Sequence, residues 1–206
     1  MTTNPNDYSA PSTIRTLLDR SICSVTDDIN WYTKSPNVDF TRNRKITADT
    51  LIKFILLMET DKSMNSNLCD FFTLAEDMPS QSAMCQRRNL LFPDAFRRIM
   101  RLFTDNMNNL KTFNGYYILA CDGSDINIPY NPNDEETFHA GKDGNRGYNQ
   151  LHLNALYDVC NHIYQDIQID THTKKNEACS LEGMIKVHNY PENSLIICDR
   201  GYEKYN

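Results

Sequence analysis

All seven glycines of this chain lie at or beyond Gly115, and none occurs in the 114 residues before it. A glycine inside a helix costs about 1 kcal/mol relative to alanine. A long glycine-free stretch with apolar residues at helical spacing is therefore expected to be all-helical, and the first glycine marks a change of architecture. Before that point Ile14, Leu17, Leu18, Ile22, Val25 and Ile29 follow the cap candidates Ser12 and Thr13, the spacing of one helix face. A second helix is expected after Thr47 through Leu51, Phe54, Ile55 and Met58, and a third over Leu68 to Ala75. Pro79-Ser80 opens a fourth, running to about Leu91, and Pro93-Asp94 a fifth, with Phe96, Ile99, Met100 and Phe103 on one face. Together these helices are expected to bundle around one core.

After the linker Lys111 to Gly115 the period falls from 3.6 to 2. Tyr116 to Cys121 is a short apolar strand, and Asp122-Gly123 is a turn signal. Pro129, Asn131, Pro132 and Asn133, with Gly141 to Gly147, indicate a long loop. Leu151, Leu153 and Ala155 then alternate with Gln150, His152 and Asn154. Beyond Asn161, Ile163, Gln165, Ile167 and Ile169 alternate with Tyr164, Asp166, Gln168 and Asp170, so two antiparallel strands joined near Asn161 are expected. Asn176 to His188 reads as a helix, and Ser194 to Cys198 as a strand ending in Asp199-Arg200-Gly201. The fold class is thus α + α/β: a helical bundle over residues 1–112, then three antiparallel strands, a helix and a parallel strand over 113–206.

Composition narrows the function classes. A length of 206 residues with 40% hydrophobic content is enough to close one large core or two modest ones. Met1 to Ser12 is polar, with no apolar run, so neither a signal peptide nor a membrane anchor is expected, and the cytoplasm is the expected compartment. Seven cysteines with no C-x-x-C pair fit neither a disulfide framework nor a zinc ribbon, and are expected to be reduced and mostly buried. A net charge of −6 argues against nucleic-acid binding over the whole surface. Locally, however, Arg87, Arg88, Arg97, Arg98 and Arg101 face a single acid, Asp94. Arg42, Arg44 and Lys45 form a smaller basic group. Two helices with a tight break between them and arginines turned outward suit a helix-turn-helix DNA reader; a solvated helix face accounts for the same charges.

A helical crossover returns a strand parallel to an earlier one in the same sheet, and the open side of the first strand is the natural place for the last. Asp122 and Asp199, 77 positions apart, would then stand at the same ends of adjacent strands, where α/β sites form. Like charges held close need a cation or a proton between them. Hard oxygen ligands suit Mg2+ or Mn2+, two of which can drive in-line attack on a phosphodiester. Ordinary turn chemistry explains an Asp-Gly pair equally well. Asp125 is the weaker ligand candidate, because three residues of separation put it on the opposite face from Asp122 if the strand continues. His152 reads as part of a sheet face.

The run Tyr117-Ile118-Leu119-Ala120-Cys121-Asp122-Gly123-Ser124 resembles the first aspartate motif of the IS-four group of DDE transposases of bacterial insertion sequences. Gly147 to Asp158 is similar to the strand that follows it, and Ile197-Cys198-Asp199-Arg200-Gly201-Tyr202 to the second aspartate motif. The resemblance is close over Tyr116 to Asn206 and looser around Pro79 to Leu91. It implies a ribonuclease H-like catalytic domain that cuts and joins DNA at the element's ends with two divalent ions, and a homodimer in the complete enzyme. Asp122 and Asp199 are then the first two metal-binding acids, and Arg200 and Tyr202 support the motif. The partners implied are double-stranded DNA ends and target, with no membrane.

The third acid of the family belongs to a later helical Tyr-Arg-Glu-Lys motif, which these 206 residues do not contain. Glu177, Glu182 and Glu203 do not stand in that motif. Two other readings stay open: a catalytically inactive product that binds DNA or a partner, and a gene remnant. The 206 residues alone are expected to be inactive or nearly so; turnover of a pre-nicked transposon-end duplex, abolished by Asp199→Ala, is the result that would contradict this.

Overall fold

The structure, a computed structural model, describes residues 11–42, 45–73, 78–107, 110–141, 145–188 and 190–202. Among them the chain forms helices and a mixed five-stranded sheet. They fall into two units that divide between Asn106 and Met107.

The first unit holds α1 (Pro11–Asp27), a 3-10 turn (Ile29–Tyr32), α2 (Ala48–Leu57), α3 (Met64–Phe72), α4 (Gln81–Arg88) and α5 (Asp94–Asp105). Three starts are capped alike: Thr47, Ser63 and Ser80 accept hydrogen bonds from the amides of Thr50, Ser66 and Ala83. Each cap satisfies a donor that the first helical turn leaves free. Helix α1 stops at Asp27, short of the expected Ile29, which lies in the separate 3-10 turn. Helix α3 begins at Met64, earlier than Leu68, and closes at Phe72 as Thr73 turns left-handed at φ 51°; the expected end at Leu74 and Ala75 lies outside the described residues. Ile22, Val25, Leu51, Ile52, Phe54, Leu68, Met84, Ala95 and Ile99 meet in one core.

The second unit holds β1 (Tyr117–Ile128), β2 (Phe138–His139), β3 (Tyr148–Asp158), β4 (Ile163–Thr171), α6 (Glu177–Val187) and β5 (Ser194–Cys198), then a 3-10 turn over Arg200–Tyr202. β3 is antiparallel to β1 along one edge and to β4 along the other, β2 adds two residues beside the start of β3, and β5 lies parallel to β1. The expected turn at Asp122-Gly123 is not there. β1 runs through it to Ile128, because β3 offers partners from Leu119↔Asp158 to Ile128↔Asn149, and a continuous ladder satisfies every backbone group that a turn would free. β2 lies inside the stretch expected to be loop. Asn149, 1% exposed, ties that stretch down: its amide donates to the Asn131 carbonyl and Thr137 Oγ1, and its carbonyl accepts from the Asn131 N–H.

The face of the sheet that α6 covers is largely the polar one. His152, Asn154, Leu156 and Asp158 of β3 and Asp166 of β4 are buried there, while Ile169, Ile126, Leu195 and Ile197 stay exposed. The thiols also depart from expectation: Cys121 is buried, Cys69, Cys85 and Cys160 are half-buried, and Cys23, Cys179 and Cys198 are exposed; none of the seven is in a disulfide. No helix among the described residues is long and apolar enough to cross a membrane. Phe54, 1% exposed, packs edge-on against Phe71 at 5.5 Å between centroids. Phe54→Ala should therefore destabilise the helical unit by about 3–5 kcal/mol, read as a lowered urea midpoint.

Candidate functional site

β1 and β5 pair in parallel from Tyr117↔Ser194 to Cys121↔Cys198, so Asp122 and Asp199 each follow the last residue of that pairing. Parallel neighbours stand about 4.8 Å apart, and the two backbones thus carry their acids at one level of the sheet. Both aspartates are exposed. Each accepts a local amide: Gly123 N–H donates to Asp122 Oδ1 and Gly201 N–H to Asp199 Oδ1, both at 2.8 Å.

The two acids leave the sheet differently. A side chain on Gly123 would run into His152 and Glu177, so Cys121, Gly123 and Asp125 face α6, and Asp122, one residue out of phase, leaves from the other side. Asp199 lies past the end of β5, where the chain has begun to turn. A Cβ on Gly201 would lie 3.0 Å from Asp199 Oδ1 and 3.4 Å from Glu177 Oε2. The structure therefore sets the backbones of Asp122 and Asp199 side by side, and Asp199 Oδ1 and Glu177 Oε2 both border the space at Gly201.

Tyr202 holds this corner. It is 8% exposed; its hydroxyl donates to Asn154 Oδ1 at 3.1 Å and accepts the Cys121 thiol at 3.6 Å. Burial, with the Cys121 contact adding to it, pushes the phenol above its ordinary pKa, and burial likewise raises that of the Cys121 thiol. Both groups stay protonated and act as hydrogen-bonding anchors that pin the turn after Asp199 to the sheet. Arg200 is exposed on the same turn.

Sequence reasoning set aside the residues beneath. His152, 2% exposed, donates from Nδ1 to Asp125 Oδ1 at 2.7 Å, and its Nε2 lies 3.3 Å from Glu177 Oε1. The His152 bond, with Lys175 Nζ at 3.5 Å, holds the Asp125 carboxyl below the usual range. Glu177 is placed by helix geometry: Asn176 caps α6 through the Cys179 amide, and Glu177 is the first residue after it. The one available signal was His152 on a strand with Asn176-Glu177 at a helix start; their convergence depends on how α6 lies across β3. Among the described residues, no three His, Cys, Asp or Glu side chains are already gathered as a metal cluster. Glu182 lies on α6 with Lys186 at 2.6 Å, and Glu203 is outside the described residues.

The arginines of the helical unit separate into two kinds. Arg87 is half-buried, its guanidinium 4.1 Å from the Phe40 ring centroid and its Nη2 donating to the Ile46 carbonyl at 3.1 Å. Arg97 and Arg101 are half-buried as well, and Arg88 and Arg98 are exposed. Of the smaller basic group, Arg42 and Lys45 are exposed, and Arg44 lies outside the described residues.

Comparison with family models, curated proteins and solved structures finds no match. Arg87→Ala, which removes a cation–π contact and a buried hydrogen bond, should cost about 1–3 kcal/mol in chemical denaturation. Arg98→Ala should leave stability within about 0.5 kcal/mol.

Proposed function

We propose that the chain is the amino-terminal portion of a DDE transposase of the IS-four type, with a ribonuclease H-like catalytic sheet and a helical region that engages DNA. One observation carries this reading: the parallel, in-register pairing of β1 with β5, which sets Asp122 and Asp199 at the same level of neighbouring strands. The strand order supports it too, since an antiparallel β1–β3–β4 run followed by a crossover helix and a parallel strand is what the resemblance implies.

The donor set suits hard divalent cations. Asp122 and Asp199 are exposed carboxylates at the open edge of a sheet, the kind of oxygen donor that Mg2+ or Mn2+ takes. Bound there, such ions supply charge neutralisation and an activated oxygen for attack on a phosphodiester. The protein's part is positional. The parallel ladder sets the backbones of the two aspartates at one level, and the Tyr202 anchor holds the turn that follows Asp199. Of the five arginines on α4 and α5, Arg88 and Arg98 are the exposed ones available to phosphates, and Arg87 acts within the fold. Cleavage and strand transfer at insertion-sequence ends, on double-stranded DNA and by a homodimer, belong to the full-length enzyme in this reading.

Iron-directed cleavage tests it without requiring turnover. Fe2+ and ascorbate in place of Mg2+ should cut the polypeptide near residues 122 and 199. Excess Mg2+ should suppress the cuts, and Asp122→Asn or Asp199→Asn should reduce them at least about tenfold, the scale of losing a principal ligand. Absence of scission near residues 122 and 199 would remove the basis of the proposal.

A further inference from the structure

Among the described residues, the buried Nε2 of His152 has no hydrogen-bond partner, although the residue is 2% exposed. It lies 3.3 Å from Glu177 Oε1, but at an angle that makes no hydrogen bond. The other nitrogen donates to Asp125, and a neutral ring that donates from Nδ1 presents a bare lone pair at Nε2. A lone pair facing a carboxylate oxygen is repulsive unless something positive lies between them.

Three further features point to what that is. Two donors bound at about 2.0–2.1 Å to one tetrahedral ion stand roughly 3.3 Å apart, the separation found here. Gly123 has no side chain beside both: a Cβ there would lie 2.8 Å from Glu177 Oε1 and 2.8 Å from His152 Nε2, and a Cβ on Gly201 would lie 3.0 Å from Asp199 Oδ1 and 3.4 Å from Glu177 Oε2. Finally, a carboxylate on the far nitrogen of a ligating histidine is the usual arrangement at metal sites, because it fixes the tautomer and raises the basicity of the ligand; Asp125 stands in that place.

We propose that His152 Nε2, Glu177 and Asp199 form a divalent-cation site of mixed nitrogen and oxygen donors over Gly123 and Gly201. Glu177 spans the site, with Oε1 on the histidine side and Oε2 on the Asp199 side. An imidazole donor favours Zn2+ over Mg2+, and a nitrogen ligand on the bound ion separates this site chemically from an all-oxygen pair at Asp122 and Asp199. Lys175 Nζ, 3.9 Å from Glu177 Oε1 and 3.5 Å from Asp125 Oδ1, offsets the negative charge at the outer edge. The site deepens the transposase reading and rests on it only through the shared Asp199.

Mn2+ titration of the purified chain, followed by pulsed electron paramagnetic resonance, tests the assignment, because modulation from a directly bound 14N reports the imidazole and not activity. Wild type and Asp122→Asn should both show 14N modulation. His152→Gln and Glu177→Gln should lose it and bind Mn2+ at least about tenfold more weakly, and Asp125→Asn should weaken binding about tenfold. Glu177 is partly exposed, so Glu177→Gln decides the matter if His152→Gln fails to fold by circular dichroism. Mn2+ bound without 14N modulation overturns this site, makes His152 an ion-pair partner of Glu177, and leaves the Asp122 and Asp199 reading standing. No bound Mn2+ overturns both.

Discussion

The sheet of the second unit depends on satisfying polar groups under α6. Buried polar atoms cost about 1–3 kcal/mol each if left without partners, and this face carries His152, Asn154, Asp158 and Asp166, all 2% exposed or less. Each has at least one specific partner, although His152 Nε2 and Asn154 Nδ2 have none among the described residues. Asp158 accepts the amides of Cys160 and Asn161 and so shapes the turn into β4. Asp166 meets His188 Nε2 at 3.1 Å just beyond the end of α6, and Asp170 accepts the Ser180 hydroxyl at 2.6 Å from within it. Asn154 takes the Tyr202 hydroxyl, and His152 takes Asp125. Because the Asp166–His188 and Asp170–Ser180 contacts are directional, they set where α6 lies across the strands more narrowly than an apolar contact would.

That placement has consequences for the chemistry of the sheet edge. With α6 lying where its polar contacts demand, its first residue, Glu177, arrives over Gly123 and near Gly201. Gly123 has no side chain in the one spot where any side chain would collide with both His152 and Glu177, which is the close-approach use of glycine in a strand. The same residue that read as half of a turn is thus the floor of a polar recess, and β1 passes straight through it. The parallel β1–β5 pairing independently levels Asp122 with Asp199. Two arrangements of acids therefore share one edge: a pair set by strand register, and a second group set by helix packing.

In the helical unit the division between scaffold and surface runs through a single dipeptide. Arg87 and Arg88 are adjacent and chemically identical, yet Arg87 lies over the Phe40 ring and donates to the Ile46 carbonyl while Arg88 is exposed. Successive residues on a helix point about 100° apart, so one faces the loop before α2 and the other faces solvent. A count of basic residues along the chain treats them alike; only the position of the loop distinguishes them.

Local signals in the sequence determined a good deal. The period change after Gly115, the caps at Thr47 and Ser80, the helix over Glu177–Val187 and the strand Ser194–Cys198 were all legible, because spacing and capping act within a few residues of themselves. The position of β5 beside β1 followed from the handedness and reach of a crossover. Tertiary structure decided the rest. It extended β1 past Asp122-Gly123, buried the polar face of β3 while leaving Ile169 and Ile197 exposed, turned Arg87 inward, and brought Asp125, His152 and Glu177 together from three separate segments. Alternation along a strand defines two faces without saying which one a helix will cover; that choice is made by groups distant in the chain, and the chemistry of the edge follows from it.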